Sequence, residues 1–252
     1  GNIGLSAGED GTFLIDDQYA PLTTKIKSAI SKITDKPIKF LLNTHWHHDH
    51  TGGNENIGKG NTIIVAQENV RKRLVKGQFM KDFNAKVPAA PSHALPDVTF
   101  STSITFYWNN EILEVVHFPG AHTDGDSVVF FTKANVIHTG DLFFNGIYPY
   151  IDADSGGSIE GVIDSVNEIL KRTDPGTKII PGHGPLGTRK DLISYRDMLF
   201  TVQKRVRKML DRGDTLEQIV ASKPTKDLDE KWGQGFLKPD RWVKIVCSGM
   251  EK

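Results

Sequence analysis

Four histidines and an aspartate fall within six residues, His45-Trp46-His47-His48-Asp49-His50. Imidazole nitrogens with a carboxylate are the donors that suit zinc, or iron with carboxylate help. One ion takes three or four ligands, and this stretch offers five candidates, so two neighbouring ions use it better. On an irregular loop, His45 and His47 turn toward one ion while Asp49 and His50 turn toward the other.

The elements that hold this stretch are legible around it. The short apolar run Ile38-Lys39-Phe40-Leu41-Leu42 reads as a buried strand leading into it. Gly52-Gly53 after it reads as a tight turn where backbone comes close to something. The donors then sit on a loop at a strand end, a usual place for binding chemistry. Before that strand, two short strands are expected at 3–5 and 12–16, then an amphipathic helix over 21–34. A strand-helix-strand order implies a parallel pair with a crossover helix. After the motif a strand at 62–66 and a helix at 67–75 are expected. Residues 76–97 have little periodicity and three prolines. They read as a flap over the metal site, with Phe79, Met80 and Phe83 as candidate substrate contacts, or equally as an insertion packed on the surface.

Farther on, strands are expected at 98–100, 104–108 and 112–118, with an Asn109-Asn110 hairpin turn between the last two. Strands at 127–131, 135–139 and 178–180 follow, and helices over 158–172, 190–212, 215–221 and 241–246, the first opening at Ser158. A second aromatic stretch runs from Phe143 to Tyr150. The chain has no solenoid-period repeat and no linker-like composition, so a single domain over 1–252 is expected.

Composition excludes more than it identifies. The 252 residues carry 31 basic and 31 acidic side chains, a formal charge of zero that gives no electrostatic reason to expect nucleic acid or an anionic membrane as partner. Lys204, Arg205, Arg207 and Lys208 read as a solvated helix face. No apolar run approaches the ~18 residues of a membrane span. The single cysteine, Cys247, precludes an intramolecular disulfide and reads as a small packing residue or a frayed tail residue. No signal peptide is visible, but the chain begins Gly1-Asn2-Ile3-Gly4 without Met, which fits a removed leader or a trimmed start. The compartment, periplasmic, secreted or cytoplasmic, and the oligomeric state stay open. His93 lacks metal-type neighbours, His117 sits within a strand, packed or exposed, and His138, three residues before Asp141, reads as a core histidine or an outer partner of the site; none reads as a ligand.

The pattern His-x-His-x-Asp-His after an apolar strand, followed by Gly-Gly, resembles the metal signature of the metallo-β-lactamase superfamily. The resemblance implies further ligands in a fixed order, and the chain supplies them: His122 in Pro119-Gly120-Ala121-His122-Thr123, Asp141 in His138-Thr139-Gly140-Asp141, and His183 in Pro181-Gly182-His183-Gly184-Pro185. It covers nearly the whole chain and implies an α/β fold, a four-layer αββα sandwich. By the same resemblance His45, His47 and His122 bind one ion, Asp49, His50 and His183 bind the second, and Asp141 bridges both. His48 has no ligand role. Asp16-Asp17 stands where the family has an acidic outer partner of the metal site, and reads equally as a strand-end cap.

The expected cofactor is two zinc ions per chain, with iron or manganese as alternatives. A hydroxide shared by the ions would attack an acyl carbon, with Asp49 holding its proton. Asp141 resembles the glyoxalase II branch, whereas many true β-lactamases carry Cys or Ser there. The phrase Asn43-Thr44-His45-Trp46-His47 is similar to bacterial members close to the class B β-lactamases. The glyoxalase II substrate domain and the nuclease insertions are not seen. The expected partner is therefore a compact small-molecule acyl substrate, a lactam, lactone, ester or thioester, within an apolar rim of Phe79, Phe83, Phe143, Phe144, Tyr148 and Tyr150. The rival readings are an iron-dependent sulfur dioxygenase and a phosphodiesterase or nuclease on the same scaffold.

Overall fold

The computed structural model describes residues 1–250 and divides the chain into two compact units. The first comprises residues 1–117 and 125–140, the second 118–124 and 141 onward.

In the first unit, β1 (Gly4–Gly8) and β2 (Gly11–Ile15) form a hairpin. Helix α1 (Thr23–Ile30) then leads to β3 (Ile38–Asn43). A one-turn helix α2 (His48–Thr51) and α3 (Asn54–Gly58) precede β4 (Ile63–Gln67), which is followed by α4 (Glu68–Lys76). A small hairpin, β5 (Gln78–Met80) with β6 (Ala85–Val87), precedes β7 (Val98–Phe100). The first sheet runs β1-β2-β3-β4-β7, parallel from β2 onward. The second is an antiparallel meander of β8 (Ser103–Trp108), β9 (Glu111–His117), β10 (Ser127–Phe131) and β11 (Val136–His138). Asn109 and Asn110 both take positive φ, 54° and 57°, as a two-residue turn between twisted strands requires.

The period of two explains the packing. Phe13, Ile15, Leu42 and Val65 face Leu113, Val115, Val129 and Phe131 of the second sheet. Their neighbours Leu14, Leu41 and Ile64 point the other way, onto Ile30 of α1 and Ile57 of α3. Both faces of β3 are covered, which is why its sequence is an apolar run rather than an alternation.

The second unit is mostly helical. Helix α5 (Ile159–Lys171) is capped by the Ser158 hydroxyl, which accepts from the Gly161 N–H, and it buries Ile159, Val162, Ile163, Val166, Ile169 and Leu170 as its spacing requires. The strands β12 (Lys178–Ile180) and β13 (Gly187–Thr188) pair antiparallel. Then come α6 (Arg189–Asp211), α7 (Leu216–Ala221), α8 (Asp229–Trp232) and α9 (Pro239–Met250). Thr188 and Asp191 form a capping box at the start of α6. Tyr148 stacks on Trp242 of α9 at 4.0 Å, and its hydroxyl donates to Asp229. Cys247 is buried in α9, the packing role its setting suggested. Arg205 pairs with Asp227 and Arg207 with Glu160. No helix among the described residues is long and apolar enough to cross a membrane.

Candidate metal centre

In the first unit the donors follow β3 directly. Trp46 is buried against Ala66, Val70 and Leu74. The chain bends over residues 44–46, where the His45 and His47 rings meet edge to face at 4.8 Å and the Trp46 ring lies 4.6 Å from that of His47. Asp49 and His50 are not on an irregular loop, as the sequence suggested, but in the single turn of α2, which opens at His47. The Gly pair is helical as well, with φ −67° at Gly52 and −84° at Gly53. Glycine is needed there for close approach: a Cβ at Gly52 would lie 2.9 Å from the Gln18 carbonyl oxygen, and one at Gly53 2.7 Å from that of Asp17.

That close approach brings in the 16–18 segment. Asp16 is buried, with φ +59°, a backbone state that Asp and Asn tolerate better than most residues. Its Oδ1 accepts from the Thr44 N–H at 2.8 Å, and its Oδ2 from the Thr44 hydroxyl at 2.8 Å and from His50 Nδ1 at 2.7 Å. Asp16 thus braces the His50 ring and also ties down the Thr44 N–H just past β3. The Thr44 hydroxyl spends its proton on Asp16, so it accepts from His45 Nδ1 at 3.1 Å. Both imidazoles are fixed as Nδ1–H tautomers, with the Nε2 lone pair left as the donor.

His45 Nε2 lies 3.1 Å from His47 Nδ1. Two nitrogens ~2.0–2.1 Å from one tetrahedral ion lie roughly 3.4 Å apart, so this pair is spaced as co-ligands. His50 Nε2 faces Asp49 Oδ2 at 3.3 Å. Behind the turn, Asn43 and Asn54 donate to each other's side-chain oxygens, and Asn43 also donates to the His50 carbonyl. Burial pushes the Asp17 carboxyl well above its ordinary value, against the pull of the Gly53 N–H that donates to it.

In the second unit the donors come from separate loops. The His122 loop is sewn to the segment before α5. The Asp152 N–H donates to the His122 carbonyl at 2.9 Å and the Ser158 N–H to the Ala121 carbonyl at 2.8 Å. Gly157 and Gly161 leave room for it. A Cβ at Gly157 would run into the His122 carbonyl oxygen, and one at Gly161 into that of Gly120. His122 Nδ1 donates to the Tyr150 carbonyl at 2.8 Å, again leaving Nε2 as the donor.

Asp141 and His183 are aligned by strand-like pairing of 143–145 with 182–184. The Asn145 N–H donates to the His183 carbonyl and the Gly182 N–H to the Phe143 carbonyl, at 2.8 and 3.1 Å. Phe144 stacks on the His183 ring at 4.9 Å. Asp141 Oδ2 lies 3.5 Å from His122 Nε2 and 3.5 Å from His183 Nε2. One carboxylate oxygen equidistant from two imidazole donors suits a bridging ligand.

The first unit thus brings together His45, His47, Asp49 and His50, the second His122, Asp141 and His183, and these donor types fit a divalent metal. The remaining histidines are engaged elsewhere. His93 faces Glu55, His117 Nδ1 donates to the Asp126 carbonyl, and buried His138 accepts from the Gly140 N–H. His48 is exposed beside Tyr19.

The expected apolar rim needs correction. Phe143, Phe144, Tyr148 and Tyr150 are buried. Met80 packs on the Trp46 cluster, and only Phe79 and Phe83 of the expected contacts are exposed. Composition cannot separate an aromatic that packs from one that lines a site. Sequence reasoning missed Thr44 and the Asn43–Asn54 pair, which were polar neighbours of the motif, and the Tyr150 carbonyl, which no side chain signals. It also missed Phe236, an exposed ring 6.4 Å from that of His183.

The metallo-beta-lactamase superfamily model matches residues 1–201. The chain belongs to this superfamily. Its fold is the α/β metallo-β-lactamase fold, as the motif implied. Among curated proteins it is 28% identical to a hydroxyacylglutathione hydrolase of Haemophilus influenzae, over 61% of this chain and 72% of that one. It is 26% identical to a probable metallo-hydrolase of Methanocaldococcus jannaschii, over 75% and 85%. Among solved structures, a metallo-beta-lactamase from Pontibacter korlensis superimposes with a TM-score of 0.62 at 23% identity, over 78% of this chain and 85% of that one. A sec-alkylsulfatase from Pseudomonas superimposes with a TM-score of 0.70 at 18% identity, and this chain spans 46% of its length. The chain is a metallo-hydrolase-type member of the superfamily with histidine and aspartate metal donors.

Proposed function

We propose that this protein is a dinuclear metal-dependent hydrolase of a compact acyl substrate, with zinc as the first candidate metal and iron or manganese as alternatives. His45, His47 and His122 would hold one ion, Asp49, His50 and His183 the other, and Asp141 would serve both. The observation that carries this reading is the equal 3.5 Å approach of Asp141 Oδ2 to His122 and His183. The fixed tautomers of His45, His50 and His122 support it, because a histidine held at Nδ1 offers Nε2 without reorganisation. The acyl substrate is favoured by relatives whose name, hydroxyacylglutathione hydrolase, states an acyl group.

Two divalent ions bound there would supply a water of lowered pKa and a Lewis acid for the electrophile's oxygen. The chain supplies placement and proton handling. The Asp49 and His183 side chains are 21% and 27% exposed, whereas that of Asp141 is 4% exposed and that of His50 fully buried. Asp49 in the first unit and His183 in the second are therefore the donors open to an incoming substrate. Asp49 sits in the first turn of α2, and its carboxylate would hold a proton and direct the nucleophile.

The test is metal content measured together with initial rates on an aryl ester, a lactone, a thioester, a chromogenic cephalosporin and an aryl phosphodiester. About two zinc ions per chain with turnover of an acyl substrate is the expected outcome. Asp49→Asn should then retain some metal and lose about 10²–10⁴ in turnover. One iron per chain with oxygen uptake, or turnover of the phosphodiester alone, would overturn the reading in favour of the oxygenase or the phosphodiesterase.

A further inference from the structure

The family match ends at residue 201, and the chain beyond it forms the end of α6 and the helices α7, α8 and α9. The turn joining α8 to α9 is firmly seated in the second unit. Trp232 and Leu237 are buried, and the Trp232 carbonyl accepts from the Tyr148 N–H at 2.9 Å. Gly235 is pressed onto Ile147, where an added Cβ would fall 2.9 Å from the Ile147 Cβ. A turn fixed on both sides still leaves one large apolar side chain outside. Phe236 is 52% exposed, beside the fully buried Leu237.

A single exposed phenylalanine needs no explanation by itself. This one is set apart by its surroundings. Its ring centroid lies 6.4 Å from the His183 ring and 6.5 Å from Phe144, the ring stacked on His183. The aromatics expected to line the substrate site from this unit are buried, so Phe236 presents the exposed apolar face nearest His183 that these contacts define.

We propose that Phe236 is a specificity-determining wall of the substrate site, selecting acyl groups that carry an aryl ring over acetyl. The inference rests on the acyl-hydrolase reading and on His183 as a ligand. The physics is burial: an aryl acyl group laid on Phe236 removes two apolar faces from water, whereas an acetyl group is too short to reach it. Phe236 contributes little to the fold, being half exposed, so its loss should act on substrate rather than on stability.

The experiment uses the zinc-loaded full chain and the variants Phe236→Ala and Phe236→Leu. Initial rates are compared on a phenylacetyl and an acetyl ester of the same phenol, and calorimetry gives the binding of phenylacetate and acetate. Phe236→Ala should raise KM for the phenylacetyl ester about tenfold and leave the acetyl ester within about twofold, with kcat little changed. Phe236→Leu should fall between, and phenylacetate binding should weaken in the same proportion as the phenylacetyl KM rises. Equal effects on both esters and both acids, or no effect on any, would overturn the proposal. A wild-type protein that turns over neither ester, yet loses its phenylacetate preference in Phe236→Ala, keeps the wall and removes the acyl-hydrolase reading. Ester turnover with a preference unaltered in the variant does the reverse.

Discussion

The two units orient their donor histidines by different means. In the first, side chains do it: Asp16 holds His50, and Thr44 holds His45 while donating to Asp16. In the second, the backbone does it: the Tyr150 carbonyl holds His122, and main-chain pairing with the Asp141 segment holds the His183 loop. A side-chain brace is lost with one substitution. A carbonyl cannot be mutated away, so the second unit is vulnerable where its backbone needs space. The first half should break at its polar braces, besides the tight Gly52-Gly53 pair, and the second at glycines.

The largest effect is expected at Asp16. Asp16→Ala strips three buried donors of their carboxylate and places Ala at positive φ, for a loss of about 3–5 kcal/mol of stability. Metal affinity should also fall about 10–100-fold in chelator competition. Unchanged metal retention would erase the contrast between the halves. Gly157→Ala is the matching cut in the second unit. The new methyl meets the His122 carbonyl, and overpacking of this kind costs about 1–3 kcal/mol in denaturant melts. It should also weaken metal retention, because the His122 loop must shift.

A control inside the second unit is the cap of α6. The Thr188 hydroxyl beside Asp191 holds that carboxyl below its ordinary value. A lowered folded pKa stabilises the native state above the unfolded value of about 3.9, and the benefit is lost as pH falls through the folded value. Thr188→Ala should cost about 1 kcal/mol near neutral pH, and the difference should shrink as melts are repeated toward pH 3. Metal content should not change. The smallest effect sharpens the comparison most: Tyr150→Phe keeps the carbonyl that holds His122, so metal retention should stay within about twofold of wild type.

The same contrast explains what the sequence reveals. The first half is legible because its donors are contiguous and of the right types. Its brace, Asp16, lies a strand and a helix away and is recognisable only by position. The second half is three isolated histidine and aspartate residues, each uninformative alone, and only the family order singles them out. Helix α5 is legible from its period, since one face meets a core along its whole length. The two-residue β13 and the four-residue α8 are too short for any period, and tertiary pairing decides them. Gly52-Gly53 signals close approach correctly, but whether the chain there turns or stays helical depends on the 16–19 segment against it.

The glycines at the start of α5 also bear on transplantation. The six residues from His45 to His50 resemble a cassette, one that a designer can move to another parallel sheet together with one acidic brace. The His122 loop has no such portability. It exists as a binding loop only where the opening of a helix, distant in sequence, has been hollowed out to receive its carbonyls. Grafting it would require importing that helix start with both glycines in register, so the receiving scaffold would have to supply a fitted socket as well as a ligand.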